Sequence, residues 1–132
     1  SSKARKKTFE IFSKKKYHFP NIISKNSHVS KFCKLGKGVQ IFHNCIINTL
    51  SEIGDNCIIN NGSIIEHDVR IEKHCHISTG VIINGSSVVG EGTFIGSGSI
   101  VHNNITIGKN CTISAGSVIN KNLPNNKFYH EK

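Results

Sequence analysis

Ile59-Asn60-Asn61-Gly62-Ser63-Ile64-Ile65-Glu66-His67-Asp68-Val69-Arg70-Ile71-Glu72-Lys73-His74-Cys75-His76-Ile77 sets the frame of the whole chain. Its aliphatic residues Ile59, Ile65, Ile71 and Ile77 stand six apart. Continuing the step in both directions meets Ile, Val or Leu at every place from Ile23 through Val29, Leu35 and Ile41 to Ile107, Ile113 and Ile119. Neither the 3.6-residue period of a helix nor the two-residue period of a strand demands a six-residue frame. The place four residues after each aliphatic one is mostly small, and all five cysteines (Cys33, Cys45, Cys57, Cys75 and Cys111) fall there. The place directly after the aliphatic residue is often glycine, as at Gly36, Gly54, Gly90, Gly96 and Gly108. Glycine suits a tight bend, so the corners are expected at that second place.

A repeat this short cannot bury its apolar side alone; several units must stack. The reading is an all-β parallel β-helix of three-sided coils, about 18 residues per coil, in which each unit supplies one short strand and one corner. The aliphatic and small residues point inward. At the ordinary strand spacing the column is about 27 Å tall. The expected organisation is a basic helical segment at 1–22, the β-helix at 23–124 and a tail at 125–132. Residues 3–16 read as a short N-terminal helix with Phe9 and Phe12 on one side, ended before Pro20. An odd number of cysteines in the inward row reads as small core residues, not as disulfides or metal ligands.

Composition excludes several classes. The chain has 132 residues and a net charge of +9, of which residues 1–20 carry +6. No basic platform interleaved with aromatics accompanies that charge, so no nucleic-acid partner is expected. No run approaches the ~20 apolar residues of a membrane span. The basic start is followed by no apolar stretch of a signal peptide, so a cytoplasmic location is expected.

The pattern of an aliphatic residue, then Gly or Asn, then two variable places and a small residue resembles the hexapeptide-repeat acyltransferases over residues 23–124. That resemblance implies a left-handed coil, against the usual right-handed crossover. It also implies a homotrimer with active sites between neighbouring columns, and acetyl-CoA as co-substrate. Ile65-Glu66-His67-Asp68 is similar to the Glu-His-acid signature of the sialic acid O-acetyltransferases and the UDP-4-amino-sugar N-acetyltransferases. Carried over, His67 is the general base and Asp68 the acid that orients it. His76 is the second histidine, contacting the acetyl-CoA end or the sugar, Gly85 offers its amide to the thioester oxygen, and Asn60 lies on the acceptor side. Residues 85–115 would form the CoA track. The Gly-x-Pro-Ala loop usual in the family after the last coil is replaced here by Lys127-Phe128-Tyr129-His130-Glu131-Lys132. The basic segment resembles the last helix of a nucleotide-sugar-binding domain.

The residues agree with that chemistry. Direct attack by a sugar amine or hydroxyl on a thioester needs a base near neutral pH and a donor for the developing charge, and imidazole suits the first. Gly85 stands 18 places after His67, one full coil, and leaves space above it. The expected reaction is acetyl transfer to a sugar, with the amine of a nucleotide-linked 4-amino sugar favoured. The alternatives are O-acetylation of sialic acid or a polysaccharide, and a trimeric scaffold without catalysis. His67 and His76 do not supply the spacing of a three-histidine zinc site, so no metal is expected. Glu66 and Glu72 read as corner caps or solvent-facing residues, and His18, His28, His43, His102 and His130 as surface residues.

Overall fold

Each six-residue unit closes as a two-residue strand and a four-residue corner in the computed structural model, which describes residues 1–131. Strands recur on three faces. Face A stacks seven, from Ile22–Ile23 through His76–Ile77 and Phe94–Ile95 to Phe128–Tyr129. Face B stacks six, from His28–Val29 through Ile64–Ile65 and Ile82–Ile83 to Val118–Ile119. Face C stacks five, from Lys34–Leu35 through Arg70–Ile71 to Thr106–Ile107. All pairs are parallel and in register, such as Ile65 with Ile83 and Ile83 with Val101. The architecture is the all-β parallel β-helix read from the repeat, with one short N-terminal helix.

The second residue of each strand points inward. From Ile41 to Ile119 these aliphatic side chains are at most 2% exposed. Full burial of one such side chain contributes about 1.5–3 kcal/mol, so a ladder of them holds the column together. The small inward row also forms hydrogen bonds. Ser51, Ser63, Ser87, Thr93 and Ser99 each donate a hydroxyl to a corner carbonyl of the next coil, at 2.7–3.1 Å. Cysteine thiols do the same: Cys45 to the Asn60 carbonyl at 3.0 Å, Cys57 to Glu72 at 3.0 Å and Cys75 to Gly90 at 3.1 Å. All five cysteines are free.

The corners depart from the sequence expectation. The backbone bends at the fourth place of the unit, where φ is positive at Asn44, Leu50, Asn56, Asp68, His74, Ser86 and Asn104. Asn and Asp enter this left-handed region more easily than other side-chain-bearing residues. The second-place glycines serve close stacking instead. A Cβ on Gly90 would stand 2.5 Å from the Gly108 carbonyl carbon, so successive coils touch backbone to backbone there.

The C-terminal stretch also differs. The tail expected at 125–132 adds a strand, with Phe128–Tyr129 pairing to Thr112–Ile113 and Tyr129 packing on the core. The coil shortens to sixteen residues here, which is why the six-residue step misses it; Lys132 lies outside the described residues.

The helix α1 (Ser2–Lys14) starts where the Ser1 hydroxyl accepts from the Ala4 N–H, and ends as Lys16 turns to φ 61°. It lies along the corner between faces C and A. Arg5 donates to the carbonyls of Asn56 and His74, Lys6 meets Glu91 at 3.8 Å, and Phe9 packs on Phe19 and edge-on to His74. Phe12, expected beside Phe9, turns away and meets Tyr17.

Candidate active site

His67 follows the face B strand Ile64–Ile65, at the corner between faces B and C. Its neighbour Asp68 holds φ 58°, and this bend brings the carboxylate back toward the ring. Asp68 Oδ2 stands 2.8 Å from His67 Nδ1. A carboxylate accepts only, so Nδ1 carries the proton and Nε2 presents its lone pair when the ring is neutral. The backbone on either side is fixed by coil-to-coil bonds: Asp68 N–H donates to Thr49 O and Ser86 N–H to His67 O.

Nε2 lies against Gly85, one coil above. A Cβ at residue 85 would stand 2.7 Å from both Cε1 and Nε2 of His67. Only glycine leaves the ring where it is. Among the described residues the Gly85 N–H has no hydrogen-bond partner. The open cleft above His67 holds about 360 Å³ and is lined by Glu66, Asn84, Gly85, Ser86, Asn103 and Asn104. Glu66 is engaged by Asn48 at 2.9 Å, which keeps it as a structural acid. Glu72 likewise accepts from the Glu91 N–H.

The five residues singled out in the sequence fall into two groups. His67, Asp68 and Gly85 converge at the corner between faces B and C. Asn60 and His76 lie on the opposite side of the prism. His76 points outward from face A, edge-on to Phe94 at 5.2 Å between centroids, beneath the first residues of α1. Its Nε2 is buried and has no partner among the described residues. Burial, and then the Arg5 charge, push its pKa below the usual histidine value. Asn60 follows Ile58–Ile59, the strand paired with His76–Ile77, and its Oδ1 accepts from the Asn61 N–H at 2.8 Å. One chain therefore does not unite all five.

Sequence reasoning passed over Asn103 and Asn104 in the cleft. Stepping 18 places from Gly85 finds Asn103, so the signal was present. It also passed over His74, which is 4% exposed and bonds Asn56 Nδ2 through Nδ1 at 2.9 Å. Nothing in the repeat announces that α1 covers this corner.

A larger concavity of about 540 Å³ runs along face C between Lys34 and Lys109. On its rim Lys34 meets Glu52 at 3.8 Å and Lys73 meets Asp55, just outside it, at 3.7 Å, and its lining offers no imidazole. Among the described residues no three His, Cys, Asp or Glu side chains gather to hold a metal ion. Among the described residues no helix is long and apolar enough to cross a membrane.

Comparison with known proteins bears on the column. GDP-perosamine N-acetyltransferase from Caulobacter crescentus, solved with CoA and GDP-perosamine, superposes with a TM-score of 0.92 at 33% identity, over 94% of this chain and 60% of that one. Variants of that enzyme with one histidine replaced by asparagine or alanine, also solved with both ligands, superpose equally well. The acetyltransferase domain of PglB from Neisseria gonorrhoeae, solved with acetyl coenzyme A, gives 0.93 at 26% identity, over 95% and 61%. The chain thus spans about 60% of the length of these structures. No curated protein sequence matches it. Residues 50–85 and 86–121 match the family model of the bacterial transferase hexapeptide, six repeats each. Because that match covers more than half of the chain and follows the coils seen here, the chain belongs to the hexapeptide-repeat transferases, which wind as left-handed parallel β-helices.

Proposed function

We propose that the corner at His67 is the acyl-transfer site of an acetyl-CoA-dependent sugar acetyltransferase, acting on the amine of a nucleotide-linked amino sugar. The observation that carries it is the Asp68–His67 pair at 2.8 Å with Nε2 held against Gly85. The ligands bound by the two similar enzymes, CoA or acetyl coenzyme A and GDP-perosamine, support the substrate class.

Bound acetyl-CoA supplies an activated acyl carbon. His67 Nε2 takes a proton from the attacking amine as the N–C bond forms, and returns it to the sulfur as the C–S bond breaks. Asp68 keeps the productive tautomer and stabilises the imidazolium. The Gly85 N–H donates to the acyl oxygen as it gains charge.

The functional unit in this reading is a homotrimer. Face B carries Ile46, Ile64, Ile82, Ile100 and Val118 outward as an apolar stripe. Laid on face A of the next column, it would bring His67 of one chain beside the neighbour's face A, which holds His76 and Asn60. The two groups then meet between subunits, with His76 at the acetyl-CoA end and Asn60 toward the acceptor. The basic helix is the segment through which a nucleotide-sugar-binding domain would join the column.

A thiol-release assay with acetyl-CoA and a panel of nucleotide-linked amino sugars tests the reading. The wild-type chain should release CoA with an amino sugar. His67→Ala should lose about 10²–10⁴-fold in turnover while its circular dichroism and assembly stay intact. Undiminished transfer by that variant would refute the base assignment.

A further inference from the structure

The chain contains two Asn-Gly pairs, Asn61-Gly62 and Asn84-Gly85. In such a pair the glycine nitrogen can attack the asparagine side chain, because no Cβ stands in the way. Hydrogen bonding decides whether that nitrogen is available. In the first pair both groups are held. Gly62 N–H donates to the His43 carbonyl at 2.9 Å, and Asn61 Oδ1 accepts from the His43 N–H at 3.0 Å. In the second pair the nucleophile is loose. At equivalent places of the repeat a side chain of the next coil caps the backbone N–H: Asp55 for Lys37, Asn61 for His43 and Asn125 for Lys109, at 2.8–3.0 Å. Asn103 holds that place above Gly85, yet the Gly85 N–H has no partner among the described residues.

The Asn84 side chain is restrained at one point, where Nδ2 donates to the Val101 carbonyl at 2.8 Å. That carbonyl also accepts the Asn84 N–H at 3.0 Å, so it stays paired when the side chain lets go. The corner opens on the cleft of about 360 Å³, which admits water.

We infer that Asn84-Gly85 is a self-modification site, at which the unbonded glycine amide converts Asn84 to isoaspartate when acetyl-CoA is not bound. The Gly85 nitrogen bonds to Cγ of Asn84, its proton leaves with the side-chain nitrogen as ammonia, and a succinimide ring remains. Water from the cleft opens the ring at either carbonyl, giving aspartate or isoaspartate. Isoaspartate puts an extra methylene into the main chain just ahead of Gly85 and leaves a carboxylate beside it. The corner has no slack for this, since Ser86 N–H bonds to the His67 carbonyl and Asn104 N–H to the Gly85 carbonyl, both at 3.0 Å. The Gly85 amide is moved from its place over His67. Protection by acetyl-CoA rests on the proposed function, in which the acyl oxygen takes the Gly85 N–H; the reaction of the pair itself does not.

Ageing the full chain at mildly alkaline pH, with peptide mass mapping of both pairs and enzymatic methylation of isoaspartate, tests this. Asn61 is exposed and Asn84 half-buried, so exposure and hydrogen bonding predict opposite orders. Residue 84 should convert about tenfold faster than residue 61, and acetyl transfer should decay in step. Asn84→Gln, whose longer side chain cyclises far more slowly, should form no isoaspartate there and hold its own starting activity. Saturating acetyl-CoA should slow conversion at residue 84 about tenfold and leave residue 61 unaffected. Conversion at residue 84 no faster than at residue 61 overturns the inference. So does decay of Asn84→Gln at the wild-type rate. Conversion that acetyl-CoA does not slow, in a chain that transfers acetyl, overturns the protection. A chain that converts at residue 84 but never transfers acetyl refutes the proposed function alone, so the two readings fail separately.

Discussion

At the scale of single residues, the site rests on what the bend at Asp68 and the missing side chain at Gly85 do to one imidazole. Asp68→Asn keeps a residue that tolerates φ 58°, so the fold should persist. It replaces a charged acceptor with a neutral one that can also turn its amide toward Nδ1. Turnover should fall at least ~10-fold, with melting temperature nearly unchanged; equal turnover would deny Asp68 its role. Gly85→Ala is a steric test. Gly85 is not among the positive-φ positions, so alanine costs the backbone little. Its Cβ must displace the His67 ring from 2.7 Å. A misplaced base should lower kcat/KM by about 10–100-fold, and a variant with full activity would show that the contact is irrelevant.

At the scale of elements, stability is set by the inward rows and by the seating of α1. Ile83→Ala removes a fully buried rung between Ile65 and Val101 and should cost about 2–5 kcal/mol in chemical denaturation. Cys45→Ser should stay within about 1 kcal/mol, because Ser63 fills the same row one coil later and donates to the equivalent carbonyl. The helix brings a pH dependence. His74 lies under α1, faced by Arg5, Lys6 and Glu10 of the helix and by Glu91 of the column. Burial is the main cause of its lowered pKa, with Glu91 opposing and Lys6 adding to it. The folded state therefore binds fewer protons than the unfolded chain. Its stabilising effect is present above the ordinary value of 6.5 and is lost as pH falls below it. Burial of His76 acts in the same sense. Thermal melts at pH 8 and pH 5 should show the loss. His74→Asn, a residue suited to the positive φ there, should flatten it; an identical slope would place the titration elsewhere.

At the scale of the whole molecule, the separation of His67 from His76 across the prism is the informative fact. Ile82 points outward from face B, so Ile82→Glu should leave the column folded. A charge there should oppose the proposed packing of face B on its neighbour. Analytical ultracentrifugation should then find single chains, and acetyl transfer should fall with the assembly. Shared sites make a further demand. His67→Ala and His76→Ala chains, each impaired alone, should recover part of their activity when refolded together, because some interfaces then combine an intact His67 with an intact His76. No recovery would argue that each column carries its own complete site.

By itself the sequence determined the column. A six-residue spacing of aliphatic side chains is a local property repeated along the chain, and each coil contacts the coils next to it, so the period alone specifies the stacking. It also set Gly85 over His67, because residues one coil apart are neighbours in any such stack, while Asp68 entered through the resemblance of Glu66-His67-Asp68 to the family signature. Tertiary structure alone decided where the backbone bends, since the second and fourth places both carry small or polar residues and only the φ angles separate close stacking from turning. It decided the split of Asn60 and His76 from His67, which depends on the face each unit occupies and not on its place within the unit. It decided the seat of α1 over His74 as well, because an amphipathic helix has no periodic partner in the repeat and finds its place only through side chains far apart in the chain.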